Sequence, residues 1–499
     1  MGKYTIRLTG FQPDNVGPAL NSGSFIFGKS GANQIIPTRA GYEVGSGRDE
    51  FQTMSVPTFT AGTAIAGFGA EFLNSFKDNY IATTKQLYRL DTVWTSVGRA
   101  TTYSGASNTA PWDFTVFENY VFATNVADGL QYATPNGTFA DVSGSPKFAF
   151  VENVNQFLIA ASGQTSGNQW ACSALGNPLS WAPSVTTQAA TGTLTSVPGP
   201  IVGIKGLGDE IVIYKRDGFY LGRYVGAANN TWAFEAVSKT IGALSHQSIV
   251  NIGYAHIFPS KDDFYIYDGT RPVRLHCPLF KWWTRKANST YKLSGANILG
   301  VVDRERSLIY WGYTNQAGVS SLNLQWALVF NYEKPNSQEA WGIATIASST
   351  IFNWAGSAAF SADNVPVGVT SFSGSIKYLY SPDTSSTTQG IWSISPIGDV
   401  GQFQTLKRIT PHWIVPPLNA TANVAIRNGL TIDNTTSGAT PAVSSMTFIN
   451  GSGSASEPEH LDVLLSSRIF DITMTIQSSP TATGEFSEIT LEFEDDGTE

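Results

Sequence analysis

The dipeptide Asp-Gly, set between runs of aromatic and β-branched residues, constrains this chain more than any other feature. IVIYKRDGFYLGRY (211–224) and DDFYIYDGTRPVRL (262–275) are near-copies of one pattern, pivoting on Asp217-Gly218 and Asp268-Gly269. Such a pair between alternating apolar runs signals a tight hairpin, because the turn needs residues that accept positive φ. The same setting recurs at Asp128-Gly129 and Gly167-Asn168, and more loosely near Thr84-Lys85, Thr314-Asn315 and Ser373-Gly374. Successive pivots lie 39 to 59 residues apart, and a period of roughly 40 to 50 residues marks propellers, solenoids or arrays. Each interval holds about four strands of roughly five or six residues with their turns, which is a propeller blade. The expectation is a β-propeller of six or seven irregular blades over residues 76–380.

The flanks read differently. Residues 1–75 carry Gly and Pro punctuation between short runs such as SFIFG and lack the hairpin unit, so they look like extended chain in need of a partner sheet. Residues 381–499 hold longer apolar runs (TLKRITPHWIVPP, ANVAIRNGLTI, SRIFDITMTIQS, EFSEITLEFED) between Ser, Gly and Asn-rich spacers. The fold class expected is all-β, with a β-sandwich-like platform built from the N-terminal segment 1–75 and the C-terminal domain 381–499. Only 14% of the residues are charged, while 48 are Gly and 12% are Phe, Trp or Tyr; strands and tight turns use these residues, long helices do not. Pro183 to Pro200 reads as a rim loop or solvated strand.

Chemistry-bearing patterns are sparse. None of the five histidines has metal-ligand spacing or sits i, i+4 beside a Glu, and no Walker, dinucleotide or G-x-S-x-G loop has the right setting. The glycine-rich GIKGLGDE leads into a strand rather than a helix. Asp262, Asp263 and Asp268 could supply the two carboxyls of a glycosidase, but Asp-Asp at a strand entry and Asp-Gly in a turn are ordinary turn chemistry. SPDTSSTTQGIW brushes against a sialidase Asp-box without its Gly after Asp383. Trp282, Trp283, Trp326, Trp341 and Trp354 could stack sugars or fill blade cores. Cys172 and Cys277 read as structural thiols. The expectation is no enzyme, no cofactor and no metal.

A formal net charge of -8 argues against a nucleic-acid grip, which draws its energy from clustered cations. The richest cationic cluster is Arg271, Arg274, Lys281, Arg285 and Lys286, interleaved with Trp282 and Trp283. It reads first as a solvated blade edge or subunit contact, and Arg271, Arg274, Lys281, Trp282, Trp283 and Arg285 are the candidate partner contacts. No run approaches the roughly 18 apolar residues of a membrane helix.

The segments ENYVFATNVADGLQY, EIVIYKRDGFYLGRYVG, WAFEAVSKTIGALSHQSIVNIG and HIFPSKDDFYIYDGTRPVRL carry a resemblance. A strand ending in Arg-Asp-Gly, a Gly-Ala ahead of a short SIV strand and a closing YDG hairpin resemble the tail nozzle or hub proteins of short-tailed bacteriophages, the tail tubular protein B and packaged-DNA stabilisation family. The likeness covers mainly residues 115–315, and the C-terminal domain is similar in style. The resemblance implies a structural, non-enzymatic virion tail protein assembled in the host cytoplasm. It further implies a six-fold homo-oligomeric ring below portal and adaptor proteins, outer contacts with tail fibres or spikes, and a lumen through which double-stranded DNA passes unbound. The alternative is a carbohydrate-binding or glycan-cleaving propeller that recognises a receptor.

Overall fold

The computed structural model describes residues 3–8, 11–12, 25–27, 35–45, 52–54, 61–90, 93–107, 110–227, 230–285, 298–313, 324–348, 350–357, 360–369, 376–378, 390–398, 402–415, 420–429, 442–448, 460–477 and 483–497. The fold is all-β and propeller-like. Among the described residues the only α-helix is the six-residue Phe280–Arg285, with 3-10 turns at His246–Ser248 and Gln338–Ala340.

Five four-stranded antiparallel meanders of consecutive strands follow one another. Blade 1 runs from Ala64–Glu71 to Trp94–Ser96, blade 2 from Asp113–Phe117 to Ala140–Asp141, and blade 3 from Phe148–Val154 to Ala190–Thr193. Blade 4 runs from Ile201–Leu207 to Asn230–Ser238, and blade 5 from Val250–Asn251 to Val273–Arg274. This is fewer than the six or seven expected, because the next two pivots fall in sheets that do not stand alone. The meander Ile298–Asp303, Leu308–Tyr313, Leu324–Asn331 and Trp341–Ser348 continues through Ile35–Pro37 into a ten-stranded sheet. Thr350–Ser357, Phe360–Val369 and Ile376–Tyr378 take their fourth strand from Gln52–Met54, far back in the chain. First strands of neighbouring sheets pack in succession, and Thr350–Ser357 packs on Ala64–Glu71.

Every pivot but one separates the second and third strands of its sheet; Asp268-Gly269 separates the third and fourth strands of blade 5. Gly129 and Gly269 have φ of +86° and +97°, the left-handed conformation that glycine adopts without strain. Gly218 is needed for a different reason: a Cβ there would lie 2.2 Å from the Ser238 carbonyl oxygen. Thr314-Asn315 and Ser373-Gly374 lie outside the described residues, but the strands flanking them are paired.

Blade strands alternate between two interfaces. Along Phe157–Gly163, Leu158 and Ala160 pack with Phe122 and Val151, whereas Phe157, Ile159 and Ala161 pack with Ile204 and Ile211. Both faces of a second strand are therefore buried, so it reads as a continuous apolar run rather than an alternating one. Fourth strands such as Ala140–Asp141 and Val273–Arg274 are exposed, and little in sequence announces them. The 183–200 stretch supplies one of these, Ala190–Thr193.

The boundary expected at residue 75 falls inside blade 1, whose inner strand begins at Ala64. The N-terminal strands do find partner sheets. Lys3–Leu8 and Tyr42–Gly45 pair with Thr483–Gly497, and Phe25–Phe27 pairs with Gly390–Gly398. Leu406, Ile489, Leu491 and Phe493 of the ten-stranded sheet share one core with Val424, Ile426, Phe470 and Ile472 of a six-stranded sheet.

Candidate functional site: the propeller axis

First strands converge on a cavity of about 250 Å³ lined by residues of blades 1, 2 and 4, the 246–249 connector, and the two composite sheets. A second cavity of about 490 Å³ lies where the first strands of blades 2, 3 and 4 begin, lined by Pro111, Ala149 and Pro200 among others. The two share His246 and Gln247.

The connector between blades 4 and 5 positions this site. At Gly203 a Cβ would meet the His246 Cα at 2.8 Å, so glycine lets the 3-10 turn press against the first strand of blade 4. His246 Nδ1 accepts from the Ile204 N–H at 3.2 Å, and Nε2 lies 2.8 Å from Asp113 Oδ1. A ring whose Nδ1 accepts carries its proton on Nε2 and donates it to the carboxylate. Asp113 Oδ2 accepts from the Val151 N–H at 2.9 Å, and Phe150 stacks on the imidazole at 4.7 Å. The Lys205 ammonium lies 3.6 Å from Glu152.

Burial pushes His246 below its ordinary value and outweighs the pull of Asp113. Burial also works to raise Asp113, but His246, Lys205 and the Val151 N–H together hold it below the usual carboxylate range. Burial raises Glu152; it would lower Lys205, but Glu152 and Asp113 override it and raise that group. The resting set is an ionised Asp113, a neutral His246 and a charged Lys205. An Asp–His pair is part of the relay that activates a nucleophile, yet both ring nitrogens of His246 are committed and neither is free to take a proton from substrate. His256 is likewise engaged, with Nε2 at 2.8 Å from the Gly206 carbonyl and Nδ1 at 2.9 Å from the Tyr214 hydroxyl, and burial lowers it to about 4.

Several sequence candidates lie elsewhere. Trp283 is buried against Phe264, Phe280 and Tyr313, so it is core and not a partner contact; the apolar fifth-blade interface needs a large ring there. Arg274 pairs with the buried Asp263 at 2.7 Å, whose other oxygen accepts from the Cys277 and Phe264 N–H groups. Arg271 and Lys281 are exposed. The side chains of Trp282 and Arg285, and the whole of Lys286, lie outside the described residues, as do the side chains of Trp326 and Trp354 and the stretch around Asp383; Trp341 is buried. Asp268 caps its own turn through Thr270, while Asp262 accepts from Tyr265. Cys172 and Cys277 are buried free thiols. Among the described residues no helix is long and apolar enough to cross a membrane.

Asp113, Glu152, Lys205 and His246 were not singled out by sequence reasoning, since they are scattered over 134 positions and carry no motif spacing. The signal that pointed nearest was GIKGLGDE, whose Gly203 and Gly206 face His246 and Val154 across blade interfaces.

No family model matches the chain, and no curated protein matches it. Among solved structures, the crystal structure of the computationally designed Ika8 protein aligns at 9% identity with a TM-score of 0.37, covering 67% of this chain and 100% of that one.

Proposed function

We propose that the protein is a structural component of a phage tail, a ring-forming nozzle or hub that prolongs the portal-adaptor channel, retains packaged DNA and conducts it during ejection. On this reading the two composite sheets serve as the sixth and seventh blades, and the sheets shared by the chain ends are the platform. The observation that carries the reading is the ten-stranded sheet, which runs without a break from blade-like strands at 298–348 through Ile35–Pro37 to Thr483–Gly497. Such continuity couples propeller and platform through backbone hydrogen bonds rather than a hinge, as a load-bearing wall requires. The propeller axis is no conduit for a duplex whose major groove alone is about 12 Å wide, since its cavity holds about 250 Å³. DNA would pass along the axis of an oligomer, where a net charge of -8 per chain disfavours tight phosphate binding.

The test is native mass spectrometry with negative-stain class averages, on the protein alone and with its neighbouring gene products. Closed six-fold rings are expected, with portal-adaptor and fibre or spike proteins as partners. A strict monomer under all conditions would overturn the reading in favour of a carbohydrate-binding or glycan-cleaving receptor protein.

A further inference from the structure

The cavity of about 490 Å³ lies where the first strands of blades 2, 3 and 4 begin. That size falls within the roughly 300–1,000 Å³ of ordinary ligand pockets, which combine apolar walls with a few polar groups. Pro111, Val126, Phe150, Pro200, Val202 and Leu244 supply most of the apolar wall. Three further wall residues, Ser162, Arg216 and Gln247, are wholly or partly exposed, and their side chains make no hydrogen bond or ion pair among the described residues. Among the described residues on this wall Arg216 carries the one formal charge, since His246 is neutral with both ring nitrogens committed. Asp217, beside Arg216 in the chain, is paired with Lys261, so the guanidinium is left for an outside anion. Ser162 has a φ of +65°, a conformation glycine adopts freely and serine only under strain. The pairing of the first two strands of blade 3 skips Ser162 and Ala149, which both line the cavity.

We propose that this cavity binds a small monocarboxylate with an apolar body, an arylacetic or medium-chain aliphatic acid. Its carboxylate lies on Arg216, whose planar fork of N–H donors fits two carboxylate oxygens with parallel bonds. Ser162 and Gln247 offer further donors, and the hydrocarbon part covers the apolar wall. A cation would face Arg216 with no carboxylate on the wall to hold it. Phosphate carries more charge than one guanidinium offsets and brings no surface for the apolar side chains. A neutral hydrocarbon would leave all three polar groups idle. The inference stands apart from the tail reading, because a site within one propeller needs no ring.

Ligand-observed NMR and calorimetry on the full chain would titrate phenylacetate and hexanoate, with phenylacetamide, acetate and phosphate as comparators. Saturable binding of at least one of the two acids is expected, with a Kd of about 1 mM or below, and each comparator should bind at least about tenfold more weakly. Arg216→Gln removes the charge-assisted bonds at an exposed position and should weaken acid binding about tenfold or more. Arg216→Lys keeps the charge without the fork and should fall between the two. Ser162→Gly relieves the φ strain, so a loss of about two- to fivefold there reports the missing hydroxyl and not a damaged fold. No saturable binding of either acid would overturn the proposal. So would any comparator binding as tightly as the acids, or acid binding left unchanged by Arg216→Gln. Ring assembly is measured separately, so either proposal can fail alone.

Discussion

Replacing Asp113 by Asn tests whether the axial network holds the blades together. The carboxylate joins three parts of the ring, accepting from Val151 in blade 3 and from His246, which itself accepts from Ile204 in blade 4. An Asn side chain cannot reproduce this. If its oxygen faces Val151, its NH₂ opposes the His246 N–H; if it faces His246, the NH₂ opposes the Val151 N–H. Either way one charge-assisted bond of about 1.5–3 kcal/mol is lost and a buried donor is orphaned. The sum is about 3 kcal/mol, a large share of any domain's stability. His246→Ala strands the carboxylate with one fewer donor and costs about 3–5 kcal/mol. Because both remove the same interaction, the double variant should be more stable than additivity predicts by about 2 kcal/mol. Urea unfolding at neutral pH, followed by tryptophan fluorescence, measures all four corners of the cycle. Asp113→Asn within about 0.5 kcal/mol of the parent, or strict additivity, would refute the reasoning.

Acid should loosen the blade 4–5 interface: His256 is held at about 4 against an ordinary 6.5, so below 6.5 the unfolded chain binds a proton that the folded chain refuses. Its contribution is complete above pH 6.5 and falls away toward pH 4, by at most about 3 kcal/mol; unfolding midpoints flat across that window would count against it. The pivot glycines should differ in kind, with Gly218→Ala more damaging than Gly269→Ala. The first drives a Cβ into the Ser238 carbonyl, whereas the second meets only Leu207 at 3.6 Å and costs about 1–2 kcal/mol of φ strain; thermal melts that reverse the order would refute this. Trp283→Ala should destabilise by about 3–5 kcal/mol, while the exposed Lys281→Ala should leave unfolding within about 0.5 kcal/mol, a contrast that denaturant titration settles.

How much was legible follows from where burial puts its signal. Second and third strands such as Tyr120–Asn125 and Gly129–Ala133 are apolar on both faces and meet at a turn with strict backbone demands, so the chain advertises them. Fourth strands advertise nothing: Ala140–Asp141 pairs through its backbone and shows both side chains to solvent. Gln52–Met54 was invisible for another reason, since its partner Ile376–Tyr378 lies more than 300 positions away and strand pairing leaves no local mark. The cluster around Trp283 misled because alternating cations and tryptophans look alike at an edge and over a core; Phe280–Arg285 is a helix, and its period buries Trp283 and exposes Lys281. The axial network was hidden because Asp113, Glu152 and Lys205 are single residues on separate first strands and His246 lies on a connector, and only the packing of those elements brings them together.

Closure of the circuit of sheets is where sequence and packing meet. Hydrophobic clusters lie between neighbouring sheets, and one of them joins Ala64, Ile81 and Trp94 of blade 1 to Phe352, Val367 and Val369 of the last sheet. The strand that completes this last sheet, Gln52–Met54, comes from the segment just ahead of blade 1, so one stretch of chain is bound at both ends of the circuit. Parting blade 1 from the last sheet would expose that cluster to water. The neighbouring meander at 298–348 is anchored independently, through Ile35–Pro37, to the sheet formed by the chain ends.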